Sequence, residues 1–291
     1  MDYESHGNID LHIHTTASDG TYSAGEILDL AQQLGLYAFS ITDHDTIAGV
    51  KEALRIGIPS SIRFLTGVEI SATPPENFSL SSSFHILGYA IDIGHRELNQ
   101  SLTLLQKARK NRNPRILQKL IELGISISME EIIKEADGGQ MGRPHIAQVM
   151  VKKGIVQSID DAFDQFLGKG KPAYVDKFRI SCRKAILLIR SAGGIPVLAH
   201  PFLLNIPDDI LEGLVVALKF MGIEGIEAYY PEHSQERIDH YVYLARRHEL
   251  LITGGTDFHG ELKPDIRMGS GKGNLRIPFL LYEKIAQKKW K

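Results

Sequence analysis

The chain has 291 residues, 43% hydrophobic and 23% charged, enough for a sizeable core in one large domain or in a domain carrying an insert. Its 33 Lys and Arg nearly balance 35 Asp and Glu; a formal charge of -2 excludes a global field for duplex DNA or an anionic membrane but leaves room for a local basic pocket. The single cysteine, Cys182, excludes an internal disulfide and a multi-cysteine metal knuckle.

The first predicted strand, 9–14, carries His12 and His14 two residues apart, so both imidazoles point to the same side. Asp19 follows in Ala17-Ser18-Asp19-Gly20, as a ligand or as a turn residue. Ser23 with Glu26 reads as a capping box, Ile27, Leu30, Ala31 and Leu34 share a helix face, and Gly35 stops it. Strand 37–42 ends in Thr42-Asp43-His44-Asp45, and strand 63–70 buries Glu69, which is costly without a charged partner or metal. Strand 84–90 begins, rather than ends, near His85. From 94 to 175 the pattern turns helical, with starts at Pro114, Ser128 and Ser158, and Gly142-Arg143-Pro144-His145 also reads as a helix start. A helix from Cys182 to about 189 places Cys182 on its apolar stripe. Strand 195–200 ends at His200, and strand 223–229 ends in Tyr229-Tyr230, an aromatic pair that either packs the core or stacks on a base. His233, following Tyr229-Tyr230-Pro231, is a candidate for the edge of the pocket. Strand 251–255 leads into Asp257 and His259, with Lys263 close behind. A last helix spans 278–290.

Most of these strands are continuous apolar runs, the pattern of strands covered on both faces. Seven strands interleaved with helices, with polar residues gathered at strand ends, predict a distorted barrel with its chemistry on that face. The expected division is a barrel domain of 1–93 and 176–291 with a helical insertion domain of 94–175. Apolar runs far below the roughly 20 residues of a membrane helix, and a polar start without a signal-like apolar region, make a cytoplasmic protein without membrane contact the expectation. Lys169, Lys171, Arg179 and Arg183 read as solvated, and His240 and His248 as surface or packing residues of a helix.

His12, His14, Asp19, His44, Glu69, His85, His200, Asp257 and His259 exceed the three or four protein ligands of one zinc site. They fit two or three clustered divalent ions, manganese, iron or zinc. Three carboxylates leave such a cluster net positive, which favours phosphoester hydrolysis over chemistry that develops less negative charge.

The ordered motifs Asp10-Leu11-His12-Ile13-His14, Thr42-Asp43-His44-Asp45, Gly67-Val68-Glu69, His200-Pro201 and Thr256-Asp257-Phe258-His259 resemble those of the PHP (polymerase and histidinol phosphatase) superfamily. The resemblance implies a distorted (β/α)7 barrel of the PHP type with an inserted small helical domain. It assigns His12, His14, Glu69 and Asp257 to a first ion, Glu69, His85 and His200 to a second, and Asp19, His44 and His259 to a third. Asp19 stands where many relatives carry histidine, which adds negative charge at the third ion.

Gly142-Arg143-Pro144-His145, with His85-Ile86-Leu87-Gly88-Tyr89, is similar to the group acting on nucleoside 3',5'-bisphosphates, which includes 5'-3' exoribonucleases of short RNA. The implied reaction removes the 3'-phosphate to leave a nucleoside 5'-monophosphate, by metal-activated hydroxide attack on phosphorus. Glu69, Asp257 and His200 carry the catalytic ions, Asp43 orients His44 or handles a proton, and metal-bound water protonates the leaving alkoxide. Arg143, Lys263 and His145, the last with a charge-assisted hydrogen bond if protonated, would meet substrate. The alternatives are a 5'-3' exoribonuclease on short 5'-phosphorylated oligonucleotides, a histidinol-phosphate or other small phosphomonoester phosphatase, and a non-catalytic metal-binding module. Oligomeric state is open.

Overall fold

The computed structural model describes residues 8–78, 80, 83–136, 142–176 and 178–289. The chain divides into two compact units, Met1–Ser101 with Arg179–Lys291, and Leu102–Phe178. The first unit begins with β1 (Ile9–Ile13), α1 (Ala24–Gln33), β2 (Ala38–Ile41), α2 (Ala48–Ile56), β3 (Arg63–Thr73) and β4 (Phe84–Tyr89). The helices α3 (Arg96–Lys110), which contains the boundary between the units, α4 (Arg112–Glu122), α5 (Met129–Glu135), α6 (Arg143–Lys152) and α7 (Ile159–Ala162) follow. The first unit resumes with β5 (Ile180–Ser181), α8 (Cys182–Ser191), β6 (Ile195–Leu198), α9 (Asp208–Met221), β7 (Gly225–Tyr229), α10 (Gln235–Arg247), β8 (Leu251–Gly254) and α11 (Phe279–Lys289). Trp290, at the end of the expected last helix, and His6 lie outside the described residues.

Seven strands form one curled sheet in the order β1-β2-β3-β4-β6-β7-β8, and the two-residue β5, absent from the sequence-based expectation, pairs with β3. Alternation decides what the strands face. In β1, Ile9, Leu11 and Ile13 share one side while Asp10 and His12 share the other, and all five are buried. Burying each large aliphatic contributes about 1.5–3 kcal/mol, so a one-residue slip of register would exchange the polar and apolar faces at great cost. The ends of the sheet meet at a single parallel bridge, Ile13 to Phe258, with the His14 N–H donating to the Phe258 carbonyl at 2.9 Å. Gly255 permits this approach: a Cβ there would fall 2.2 Å from His12 Cβ and 2.4 Å from its backbone nitrogen.

One strand departs from the parallel pattern. Among the described residues no helix separates β3 from β4; β4 returns antiparallel, and it pairs with β6 antiparallel as well. Its first residues therefore lie at the end of the sheet where its neighbours finish. This explains why His85, opposite Ser71 in the ladder, belongs with residues at other strand ends.

Local signals behave as their chemistry requires. Ser23 and Glu26 form the capping box of α1, with the Ser23 N–H donating to Glu26 Oε2 at 2.7 Å; Leu34, expected on the apolar face, is half exposed just past its end. Ser128 and Glu131 do the same for α5, and Ser158 caps α7. Cys182 is buried with Ala185, Ile186 and Ile189 on one stripe of α8. The second unit has its own core, built on Ile116, Leu120, Ile132, Ile146 and Met150. No helix among the described residues is long and apolar enough to cross a membrane.

Candidate metal centre

Glu69 lies in β3, 1% exposed, and its two oxygens divide the surrounding imidazoles. Oε2 lies 2.8 Å from His44 Nδ1, 3.3 Å from His14 Nε2 and 3.5 Å from His12 Nε2. Oε1 lies 2.9 Å from both His85 Nδ1 and His200 Nε2. Across from it, Asp257 Oδ1 is 3.1 Å from His14 Nε2 and 3.4 Å from His12 Nε2. Asp19 brings its carboxylate to 3.5–3.8 Å of nitrogens on His14, His44 and His259. All nine residues expected from the sequence thus converge.

Among the described residues, three overlapping groups place one donor atom from each member within 4.8 Å of the others: His12, His14, Glu69, Asp257; His44, Glu69, His85; and His14, Asp19, His44, His259. The first matches the expected grouping. In the second, His44 stands in place of the expected His200, whose Nε2 nonetheless lies 2.9 Å from Glu69 Oε1, and the third gains His14; His44 Nε2 also faces Asp19 at 3.8 Å. The donor set also passes a test of fit. His12 Nε2, His14 Nε2, His44 Nδ1 and Glu69 Oε2 are buried without a hydrogen-bond partner. Orphaned buried polar atoms are costly, and imidazole with carboxylate is the donor set of manganese, iron and zinc.

A layer of hydrogen bonds aims these donors. The Asp257 backbone sits at φ +52 and that of His200 at φ +26, the left-handed region that is strained for most side chains. Asp257 Oδ2 accepts from the Tyr230 hydroxyl at 2.9 Å and from Lys263 Nζ at 2.6 Å, leaving Oδ1 for the histidines. His259 Nδ1 donates to the Asp257 carbonyl at 2.8 Å, which frees its Nε2. Asp10, fully buried, accepts from the Thr256 N–H and hydroxyl and from the Gly269 N–H, tying β1 to the loop after β8. Burial, partly offset by these donors, pushes its carboxyl up to about 6.

Asp43 corrects an expectation. Its carboxylate turns away from His44 and accepts from the Thr15 N–H, the Thr15 hydroxyl and the Ser18 hydroxyl at 2.6–2.8 Å. Ser18 Oγ in turn meets His14 Nδ1 at 3.3 Å. Because Ser18 spends its proton on Asp43, it accepts from His14, so Asp43 acts on His14 through Ser18 and is not poised to move a proton. Tyr230 is likewise an anchor for Asp257, buried edge-on to His200, rather than a platform for a base. His233 donates from Nδ1 to the Ala228 carbonyl at 2.7 Å and packs on Tyr230 and Tyr241. His248 packs with its Nε2 3.0 Å from Glu212 Oε1; Lys169, Lys171 and Arg183 are exposed, in keeping with their solvated reading, and Arg179 is only partly so.

A pocket of about 330 Å³ opens over the cluster, lined by His44, Glu69, His85, His200, Asp257, His259, Lys263, Ser83 and Leu203. In the second unit, Arg143 Nη1 donates to the Leu167 carbonyl at 2.8 Å, and its guanidinium lies 5.2 and 5.6 Å from the Phe163 and Tyr174 ring centres. His145 Nδ1 accepts from the Gly142 N–H at 3.0 Å, so the proton resides on Nε2. The charge-assisted donation expected of His145 if protonated would require Nδ1 to give up this contact.

The sequence reading passed over Glu227, whose carboxylate contacts His12 Nδ1 at 2.9 Å. Gly225-Ile226-Glu227-Ala228 is a carboxylate in an apolar strand, the same signal that singled out Glu69. Ser18 and Tyr230 left no comparable trace.

The electrostatics set a proton cost for loading the centre. Burial raises the Glu69 and Asp257 carboxyls, but the imidazoles around Glu69 and the Lys263 ammonium beside Asp257 hold both well below the usual range. Burial lowers His14, yet Asp257 and Glu69 outweigh it and raise the imidazole to about 9. Burial dominates at His44 and pulls it down to about 3. At pH 7, below 9, His14 holds a proton that it must lose to offer Nε2 as a ligand. Divalent-ion binding by the metal-free protein should therefore release protons and tighten as pH rises toward 9. Titration calorimetry in buffers of different ionisation enthalpy measures this directly; a buffer-independent heat would refute it.

The comparisons with known proteins agree with this geometry. The profile of the PHP domain matches residues 10–172. The chain is 31% identical over 253 residues to a 3',5'-nucleoside bisphosphate phosphatase of Chromobacterium violaceum, covering 87% of each protein. It is 33% identical over 254 residues to the 5'-3' exoribonuclease Rnm of Escherichia coli, covering 86% of this chain and 84% of that one. Among solved structures, a candidate metal-dependent phosphoesterase from Bifidobacterium adolescentis superposes with a TM-score of 0.80 at 28% identity, over 98% of this chain and 96% of the other. Imidazoles and carboxylates converging at the strand ends of a curled sheet, and this extent of similarity, have one meaning: the chain belongs to the PHP family and is a metal-dependent phosphoester hydrolase.

Proposed function

We propose that the protein removes the 3'-phosphate of nucleoside 3',5'-bisphosphates to give nucleoside 5'-monophosphates. The observation that carries this reading is the bridging position of Glu69, its two oxygens each facing a different set of imidazoles beneath a 330 Å³ pocket. The similarity to a protein named for that activity supplies the substrate class.

In this proposal His12, His14, Glu69 and Asp257 hold one ion, Glu69 with His44, His85 and His200 a second, and Asp19 with His44 and His259 a third. Manganese, iron or zinc would supply Lewis acidity toward a phosphoryl oxygen and lower the pKa of an attacking water. The chain's own contribution is orientation and charge. Asp257 keeps Lys263 at the pocket wall, where the ammonium faces an entering phosphate while neutralising the carboxylate behind it. Arg143 and His145, in the helical unit, are the proposed grip on the phosphate that does not react. Two aromatic rings flank the intrinsically planar Arg143 guanidinium, and the Nδ1 of His145 accepts from the Gly142 N–H, so its donor proton is carried on Nε2.

An Arg143→Ala variant should retain its metal and its maximal rate yet raise KM for the bisphosphate about 10- to 100-fold, the worth of one hydrogen bond to a charged group. Metal analysis together with phosphate release checks it, and unchanged kinetics would remove Arg143 from the grip.

A second reading has its own support in the 33% identity to a 5'-3' exoribonuclease. Both reactions break a phosphoester at a nucleotide 3' oxygen. Adenosine 3',5'-bisphosphate and a 5'-phosphorylated tetranucleotide, compared by kcat/KM on one preparation, separate them. A higher value for the tetranucleotide would displace the phosphatase reading.

A further inference from the structure

We propose that Glu227 is a positioning residue that sets how tightly the centre holds its ions, by fixing one histidine from each side of Glu69 at once. The proposal rests on reading the centre as a divalent-metal site. Glu227 is fully buried in β7 and does not line the pocket, so it meets no substrate. Its two oxygens have separate tasks. Oε1 accepts from His12 Nδ1 at 2.9 Å, and Oε2 accepts from the backbone N–H of His200 at 2.7 Å.

Each contact has a consequence for the centre. With Nδ1–H committed to Glu227, the His12 lone pair resides on Nε2, the orphaned atom 3.5 Å from Glu69 Oε2 and 3.4 Å from Asp257 Oδ1. A carboxylate partner also makes an imidazole a stronger donor toward a cation. At His200 the contact holds a backbone at φ +26, and that backbone aims Nε2 at Glu69 Oε1, 2.9 Å away. His12 belongs to β1 and His200 lies two residues beyond β6, so β7 supplies a single clamp for ligands carried by two separate segments of the sheet. A buried carboxylate without such partners costs several kcal/mol, which makes an incidental placement expensive.

Glu227→Gln tests the clamp because it keeps the shape but offers one carbonyl oxygen for two N–H groups. The metal-free protein is titrated with manganese(II) or zinc(II) against a chromophoric chelator. The thermal midpoint is read with and without the ion, and kcat at saturating manganese. We expect affinity to fall about 10- to 100-fold, the metal-induced rise in midpoint to shrink, and most of kcat to return in excess metal. A lower midpoint in the metal-free state with affinity within twofold of wild type would mean a purely structural role and overturn the proposal. If Glu227→Gln does not fold, Glu227→Asp keeps the charge but is too short to reach both partners; the same loss is expected, and wild-type affinity there overturns it equally. Failure of the wild-type protein itself to bind either ion would instead defeat the metal-site reading on which this one stands.

Discussion

Glu69→Gln should purify with little bound metal and hydrolyse phosphoesters on the order of 10³-fold more slowly than wild type, the loss expected when several kcal/mol of Lewis-acid stabilisation disappear at 1.36 kcal/mol per tenfold. The reason is that Glu69 is shared. Its oxygens face His12, His14 and His44 on one side and His85 and His200 on the other, all within 3.5 Å. A neutral amide cannot bring negative charge to both sides, and its NH2 would point hydrogens at imidazole nitrogens that need a cation or an acceptor. The fold should survive, because Gln matches Glu in volume and the ladder between β3 and β4 is made by the backbone. Metal content by elemental analysis and phosphate release check the two effects together, with circular dichroism as the test of folding. A variant with wild-type metal content and rate would remove Glu69 from the centre.

Asp257→Asn is expected to act on one side only. Asp257 belongs to the group with His12, His14 and Glu69, and not to that of His44, Glu69 and His85. The variant should therefore lose part of its metal, and turnover should drop about 10²- to 10³-fold, comparable to deleting one strong electrostatic contact in an active site. Asparagine is a fair probe because it tolerates the left-handed backbone that Asp257 adopts. The substitution also strips Lys263 of its counter-ion, so the ammonium, raised by that carboxylate against the effect of burial, would become more acidic. His14→Ala should lose more metal than Asp257→Asn, since His14 stands in two of the three donor groups. Equal metal content in all three proteins would contradict this ordering.

The chemistry of the centre was legible wherever it depended on local spacing. His12 and His14 share a face because strand side chains alternate, and Asp257 with His259 repeats the interval beyond β8. Glu69 was conspicuous because a carboxylate inside an apolar strand needs a partner. The same logic applies to Glu227, which the sequence reading passed over although the signal was present.

Other features were decided by partners distant in the chain. Asp43 was expected to serve its neighbour His44, yet it serves the Thr15–Ser18 turn, 25 to 28 residues earlier. Alternation tells which side a residue faces and leaves open what waits there. His85 joined the other ligands only because β4 runs antiparallel, a matter of how the chain returns after β3. The helix caps at Ser23, Ser128 and Ser158 and the positions of the seven longer strands follow from periodicity and hydrogen-bond satisfaction within a few residues, and these the sequence determined alone; the two-residue β5 exists only through its pairing with β3. Which histidine nitrogen faces the centre depended on acceptors brought in from across the barrel: Glu227 for His12, and Ser18 backed by Asp43 for His14. Only the tertiary structure could decide that, because an imidazole places its N–H where an acceptor waits and keeps its lone pair on the opposite nitrogen.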